Sequence, residues 1–235
     1  MMDTSIYKSL PEAKFLLDHI HKINPKYGIE IILPQQRWPN LKLNQTTDVM
    51  KMIHQHREVY LNASTNDLGM IYHTEASGYA DLWIHILDEN KNIIGLSINK
   101  LFEVNQNPLN YFQACMLSRD IQNLGIYPLL QDLRIAIFPA NHILCRTQNP
   151  IVYKKYQEFC YKHGMSISPT LDKIYPQSID IVKAAGFNID DQSVSRNAIN
   201  GEVLKETPIP DQEIASLWER INIANGDLLV IICYK

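Results

Sequence analysis

Between Tyr111 and Tyr161 the sequence sets out a strand, a loop with one glycine, a helix, a short strand and a second helix. That order restricts the chain to folds in which a helix N-terminus meets a strand end, a place where phosphate groups are readily held. Tyr111 to Leu117 mixes apolar and small residues and reads as the strand. The loop is Ser118-Arg119-Asp120-Ile121-Gln122-Asn123-Leu124-Gly125-Ile126-Tyr127. Pro128 predicts the helix start, because proline is pre-set for the first turn and its missing donor costs nothing there. Leu129, Leu130, Leu133 and Ile137 then share one face, the pattern of a helix laid on a sheet. Ile143 to Thr147 is a short buried strand, and Asn149 opens the next helix with Pro150 first and Gly164 at its end.

The flanking segments extend this pattern. Ser9-Leu10-Pro11-Glu12 resembles a capping box ahead of Ala13, Leu16, Leu17, Ile20 and Ile23 at helical spacing. A second helix is predicted over Thr47 to Glu58, with Val49, Met50, Ile53 and His54 inward, and Leu33 to Pro39 reads as irregular, Trp38 covering an apolar surface. Leu68 to His73, Ala80 to Leu87 and Ile93 to Val104 read as strands, with Asp88-Glu89-Asn90-Lys91-Asn92 as a hairpin turn between the last two. Together with Tyr111 to Leu117 they predict an antiparallel meander. Towards the C-terminus, helices are expected near Ser178 to Ala185 and Asp211 to Ile221, and a strand over Leu228 to Tyr234 after the Asn225-Gly226 turn, pairing either within the chain or across a homodimer. Asn188 to Pro208 reads as loop or meander. The fold class is α+β: a mixed, mostly antiparallel central sheet flanked by helices.

Composition bounds the partners. At 46% hydrophobic and 20% charged, 235 residues can bury a sizeable core, and no linker-like tract divides them, so one domain over 1–235 is expected. A net charge of −3 with pI near 6.2 argues against a nucleic-acid surface. No apolar run is long enough for a bilayer, and Met1-Met2-Asp3-Thr4-Ser5 lacks signal-peptide features, so a cytoplasmic, membrane-free protein is expected. Cys115, Cys145, Cys160 and Cys233 form no CxxC pair and read as buried free thiols rather than a zinc site or disulfide frame; no metal is expected. The pairs His19/His21 and His54/His56 sit at i and i+2, which point apart on a helix, so surface histidines are expected. His73 and His85 fall in predicted strands.

Gln122-Asn123-Leu124-Gly125-Ile126-Tyr127 resembles the signature loop [R/Q]-x-x-G-x-[G/A] of the GNAT superfamily of acyl-CoA N-acyltransferases, matching at Gln122 and Gly125 and departing at Tyr127. Asn149, Val152 and Tyr156 resemble the family's next motif, and Cys145-Arg146-Thr147-Gln148-Asn149-Pro150 resembles a run in a divergent branch. The resemblance is clearest over 81–162, leaving an N-terminal helical segment over 1–60 and a C-terminal extension over 165–235. It implies acetyl-CoA or another acyl-CoA as donor, a small-molecule or peptide amine as acceptor, and direct attack of the neutral amine on the thioester.

In such a site the amides of Gln122, Asn123, Leu124, Gly125, Ile126 and Tyr127 would hold the pyrophosphate at the positive end of the helix dipole. Amides near Met116, Leu117 or Ser118 would hold the thioester oxygen. Asn149, Tyr153 and Tyr156 share a helical face, with Tyr156 placed to protonate the leaving thiolate. The base is open between Glu103, Glu75 and a water relay. Each residue also has a plainer reading: Tyr156 as a core tyrosine, Gly125 as a turn glycine, Glu103 and Glu75 as solvated carboxylates. Tyr127 narrows the site, which favours the alternative of a GNAT-like ligand-binding or protein-interaction module without catalysis. Acceptor choice would rest with about Ile6 to Gly78 and the C-terminal part.

Overall fold

Alternating side chains on one strand explain the architecture best. In the computed structural model, which describes residues 5–39, 41, 46–64, 66–204 and 207–235, the strand β2 (Leu82–Leu87), which follows two short helices, three longer ones and an edge strand, buries both faces. The chain begins with α1 (Ser5–Lys8), α2 (Pro11–Ile23), β1 (Gly28–Ile32), α3 (Pro34–Arg37), α4 (Thr47–Ala63) and α5 (Gly69–Gly78), followed by β2 (Leu82–Leu87), β3 (Ile93–Val104) and β4 (Asn107–Leu117). Then come α6 (Ile126–Ile137), β5 (His142–Thr147), α7 (Pro150–His163), β6 (Ser166–Ser168), α8 (Pro176–Ala184), β7 (Val194–Ser195), α9 (Ala215–Trp218) and β8 (Leu228–Tyr234). The strands hydrogen-bond in the order β1-β2-β3-β4-β5-β8-β6, and β7 also pairs with β8. β1 with β2, β2 with β3, and β8 with β5, β6 and β7 pair antiparallel, and β4 with β5 pairs parallel. The expected α+β class with a mixed, mostly antiparallel sheet is therefore observed.

Two compact units divide the residues: Met1–Ala63, Asp67–Leu101 and Phe112–Pro139 in one, Ser64–Asn66, Phe102–Tyr111 and Ala140–Lys235 in the other. In the first, Leu82, Ile84 and Ile86 face α2 and α6, meeting Leu16, Ile20, Leu130 and Leu133. Trp83 on the opposite face of β2 meets Val49, Ile53 and Ala80 with Leu96 and Ile98. Period-two alternation thus feeds two separate cores from one strand, each fully buried large side chain contributing about 1.5–3 kcal/mol. In the second unit Leu144, Val230 and Ile232 pack with Leu109, Tyr111, Val182 and Ile189.

Several expectations need correction. Leu68 to His73 is not a strand: α5 occupies it, because His73, Ala76 and Ser77 are buried at i, i+3 and i+4 while Ile71 is 78% exposed. A strand went unread at Gly28–Ile32, and α3 lies in the segment expected to be irregular. Trp38 does cover an apolar surface, its ring 5.7 Å from that of Trp83. α2 starts at Pro11, so Leu10 and not Ser9 takes the cap position, and Leu10 gives no side-chain hydrogen bond there. His54 is exposed, against the inward placement read from the helix and in keeping with the surface placement read from the His54/His56 pair, whereas His56, expected on the surface, points inward. The helix expected over Asp211 to Ile221 shrinks to α9. The turn at Asp88 to Asn92, the start of α7 at Pro150, its end at Gly164 and β8 over Leu228–Tyr234 are as expected. β8 pairs within the chain, with β5, β6 and β7. All four cysteines are free; Cys145, Cys160 and Cys233 are buried and Cys115 is half-buried. Met1 to Thr4, read for signal features, and Lys205 and Glu206 of the expected loop lie outside the described residues.

Candidate functional site

The loop after β4 is built by short-range hydrogen bonds. Ser118 N–H donates to Ile94 O at 2.8 Å, holding the end of β4 beside β3. A single 3-10 turn over Arg119–Ile121 follows, fixed to α4 by Arg119 N–H on Asn62 Oδ1 at 2.8 Å. Gln122 turns its side chain back to give Nε2 to Leu117 O at 2.8 Å, while its N–H donates to Arg119 O. Asn123 and Gly125 then take left-handed backbone, φ 60° and 75°. This conformation is open to glycine and tolerated by asparagine, whose short polar side chain bonds locally.

Helix α6 begins directly after Gly125, two residues earlier than Pro128 predicts. Pro128 sits in the first turn all the same, where N–H groups have no intrahelical partner, so proline is accepted at any of those positions. Among the described residues, the amides of Asn123, Leu124, Gly125 and Ile126 have no backbone acceptor. The amides of Gln122 and Ser118 are already committed, which removes them from the sets expected to hold pyrophosphate and thioester oxygen. His19 of α2 closes over this loop, its Nε2 2.5 Å from Leu124 O, and a Cβ on Gly125 would lie 3.4 Å from that nitrogen. Met116 and Leu117 pack half-buried against the two cores of the first unit.

On the inner face of α6 sits a buried cation that the sequence reading passed over. Arg134, 1% exposed, donates from Nη2 to Ile98 O at 3.2 Å and to Ala114 O, and its guanidinium lies 4.4 Å over the Phe112 ring. Burial raises the nearby Cys115 thiol above its ordinary value, with Arg134 pulling the other way. An arginine one position after Leu133, on the buried face of α6 beside Gln131, is the signal that marks it.

The remaining expected residues lie in the second unit, apart from Glu75 on α5 and Tyr127 in the first turn of α6. Asn149 Oδ1 accepts from Ile151 N–H at 2.9 Å and caps α7. Tyr153 donates its hydroxyl to Pro169 O at 2.8 Å, and burial pushes its phenol up to about 12. Tyr156 is 0% exposed, with its ring edge-on to Phe159 at 6.3 Å. Both tyrosines thus share the inward face of α7, as their spacing requires. Glu103 and Glu75 are exposed on β3 and α5. Gln148, ahead of the cap, is buried and binds Asp227 O at 3.2 Å and Gly201 O at 3.1 Å through Nε2, while its Oε1 accepts from Val203 N–H at 2.8 Å.

No sequence-family description matches the chain, nor does any curated protein. Solved structures do. One is a GCN5-related glucosamine N-acetyltransferase region of a fungal multi-domain beta-N-acetylglucosaminidase, with TM-score 0.42 and 13% identity over 61% of this chain and 17% of that one. This chain is similar to it only over that short fraction of its length. A second is the NatC complex bound to Gag peptide and CoA, TM-score 0.41, 11% identity, over 56% and 82% of the two chains. A third is a GNAT family N-acetyltransferase of Escherichia coli in complex with CoA, TM-score 0.38, 12% identity, over 55% and 67%. The α+β class seen here stands on the strand pairing itself. Among the described residues no group of three or more His, Cys, Asp and Glu is disposed to hold a metal, and no helix is long and apolar enough to cross a membrane.

Proposed function

We propose that the chain is an acyl-CoA-dependent N-acyltransferase that moves an acetyl group from acetyl-CoA to the amine of a small molecule or peptide. The observation that carries this reading is the Asn123–Gly125 turn, two left-handed residues that leave the amides of Asn123 to Ile126 without a backbone acceptor at the start of a 12-residue helix. Oriented amides at the positive end of a helix dipole favour a diphosphate without needing a cluster of cations. The order of elements supports the same reading, since the meander, glycine loop, helix, parallel strand and capped helix follow one another as the resemblance implies. Free thiols at all four cysteines agree with a reducing, cytoplasmic compartment. We read the two units as parts of one catalytic domain.

The chemistry is a direct displacement. The neutral amine attacks the thioester carbonyl, the carbon–sulfur bond breaks, the thiolate takes up a proton and the amine nitrogen gives one to solvent. Tyr156 is the proposed proton donor to sulfur, and Tyr153, whose hydroxyl is bound to Pro169 O, orients the helix rather than the substrate. Thermal unfolding with acetyl-CoA, free CoA and ATP tests the reading. Stabilisation by the first two alone supports it, a ligand at ~100 times its dissociation constant adding about 2.7 kcal/mol. A protein indifferent to all three has no such donor site.

One observation favours a binding module without turnover. His19 lies against Gly125 and Tyr127 stands where the family loop carries a small residue, so the loop is more crowded than the resemblance implies. Binding of CoA without acetyl transfer to any of a panel of polyamines, aminoglycosides and peptide N-termini would establish that alternative.

A further inference from the structure

A line of four polar side chains crosses the first unit between α5 and the edge strand β1. Ser77 Oγ lies 2.9 Å from His56 Nδ1, His56 Nε2 lies 2.9 Å from His85 Nε2, and His85 Nδ1 lies 3.3 Å from Glu30 Oε2. Ser77, His56 and His85 are 1%, 1% and 0% exposed, and only the Glu30 end reaches solvent, with a side chain 32% exposed. The four residues come from four elements: α5, α4, β2 and β1.

Donor accounting decides what such a line can do. With both imidazoles neutral, one arrangement satisfies every group. Ser77 donates to His56 Nδ1, His56 donates from Nε2 to His85 Nε2, and His85 donates from Nδ1 to Glu30. One added proton is also accommodated, by reversal. An imidazolium at His85 donates both to Glu30 and to His56 Nε2, and His56 then donates from Nδ1 to Ser77 Oγ. A second proton is not, because it puts two N–H groups face to face across the 2.9 Å between the Nε2 atoms.

We propose that Ser77–His56–His85–Glu30 is a one-proton relay and acid latch: it keeps α4 and α5 fastened to the β1–β2 edge while neutral or singly protonated and lets them go at the second proton.

The surroundings fit that role. Trp83 stacks on His85 at 6.0 Å and meets His56 edge-on at 5.0 Å, so water does not solvate either ring. Burial first, and then the neighbouring His85 and His73, hold the His56 imidazole well below its ordinary value. Each element packed here brings charged or titratable groups. From α3, Arg37 approaches Glu30 Oε1 at 3.5 Å; the His85 hydrogen bond first, with Arg37 adding to it, holds that carboxyl below its ordinary value against the pull of burial. From α5, His73 is buried against the Tyr60 ring, its own value lowered by burial, and α4's Arg57 is occupied by Asp67.

Nitrogen-15 NMR of the histidine rings between pH 8 and 4.5, with hydrogen exchange of the α4 and α5 amides, tests the proposal on the whole protein. The expected result is that His56 carries its proton on Nε2 at high pH and switches to Nδ1 as the first proton enters. Exchange in α4 and α5 should then rise at least tenfold, ahead of global unfolding, when the second enters. His56→Gln, which cannot take up a proton, should abolish that rise, and His54→Gln, two residues away and exposed, should keep it. A His56 that never changes tautomer, or exchange in α4 and α5 that is flat with pH, overturns the proposal, as does a folded His56→Gln protein with unaltered acid opening. If His56→Gln does not fold, the wild-type tautomer record alone decides.

Discussion

Gly125 is the residue on which the proposed donor site depends most. Its φ of 75° is one that a Cβ makes costly, and the added atom would also press on His19 at 3.4 Å. Gly125→Ala should therefore cost about 1–2 kcal/mol of stability, read by urea unfolding, and should also reduce the thermal shift given by CoA. Asn149 is separable from it. Asn149→Ala removes the bond to Ile151 N–H and should cost about 0.5–2 kcal/mol without altering the CoA shift, so the two variants distinguish a ligand loop from a helix cap. Tyr156→Phe keeps the packing against Phe159 and takes away only the hydroxyl. If Tyr156 protonates the leaving sulfur, turnover should fall by about 10²-fold or more with little change in CoA binding; full turnover across pH would remove it from the mechanism.

At the level of elements, helices α4 and α5 carry the protein's acid sensitivity. The folded value of His56 lies below the ~6.5 of an unfolded histidine, so the unfolded chain binds the extra proton first. Its contribution is complete above pH ~6.5 and is lost as pH falls, by up to about 1.4 kcal/mol for each pH unit down to the folded value. His73, lowered in the same direction, adds to the slope. Glu30 works on a lower window: its carboxyl is held below the usual 4.5, so its contribution persists through pH 5 and fades beneath. Urea midpoints measured from pH 8 to 4 should fall steadily below pH 6.5, and a midpoint constant down to pH 5 would contradict the burial of these histidines. Spacing was the missed signal here. Val49, Ile53, His56 and Tyr60 recur at helical intervals and are all buried, whereas judging His54 and His56 as a pair hid the inward one.

For the whole molecule, the α+β class was legible because strand periodicity and turn chemistry are local: Asp88 to Asn92, Asn149-Pro150 and Gly164 each mark a boundary where the structure has one. Leu68 to His73 was misread as a strand because a short apolar run suits either period, and only burial at His73, Ala76 and Ser77 shows the helix. Ligand binding belongs to this scale as well, since acetyl-CoA at saturating concentration should raise the unfolding temperature while ATP leaves it unchanged.

By itself the sequence determined the cap and the end of α7, the hairpin turn, the glycine loop before α6 and the tyrosine face of α7, all of which depend on residues within a few positions of one another. Tertiary structure alone decided that Gln122 and Ser118 spend their amides inside the loop, that His19 closes over Gly125, that Arg134 is buried against strand carbonyls, and that Ser77, His56, His85 and Glu30 form one line. These contacts join residues up to 105 positions apart. Their hydrogen-bond partners are chosen by which groups burial leaves without water, and no local pattern encodes that.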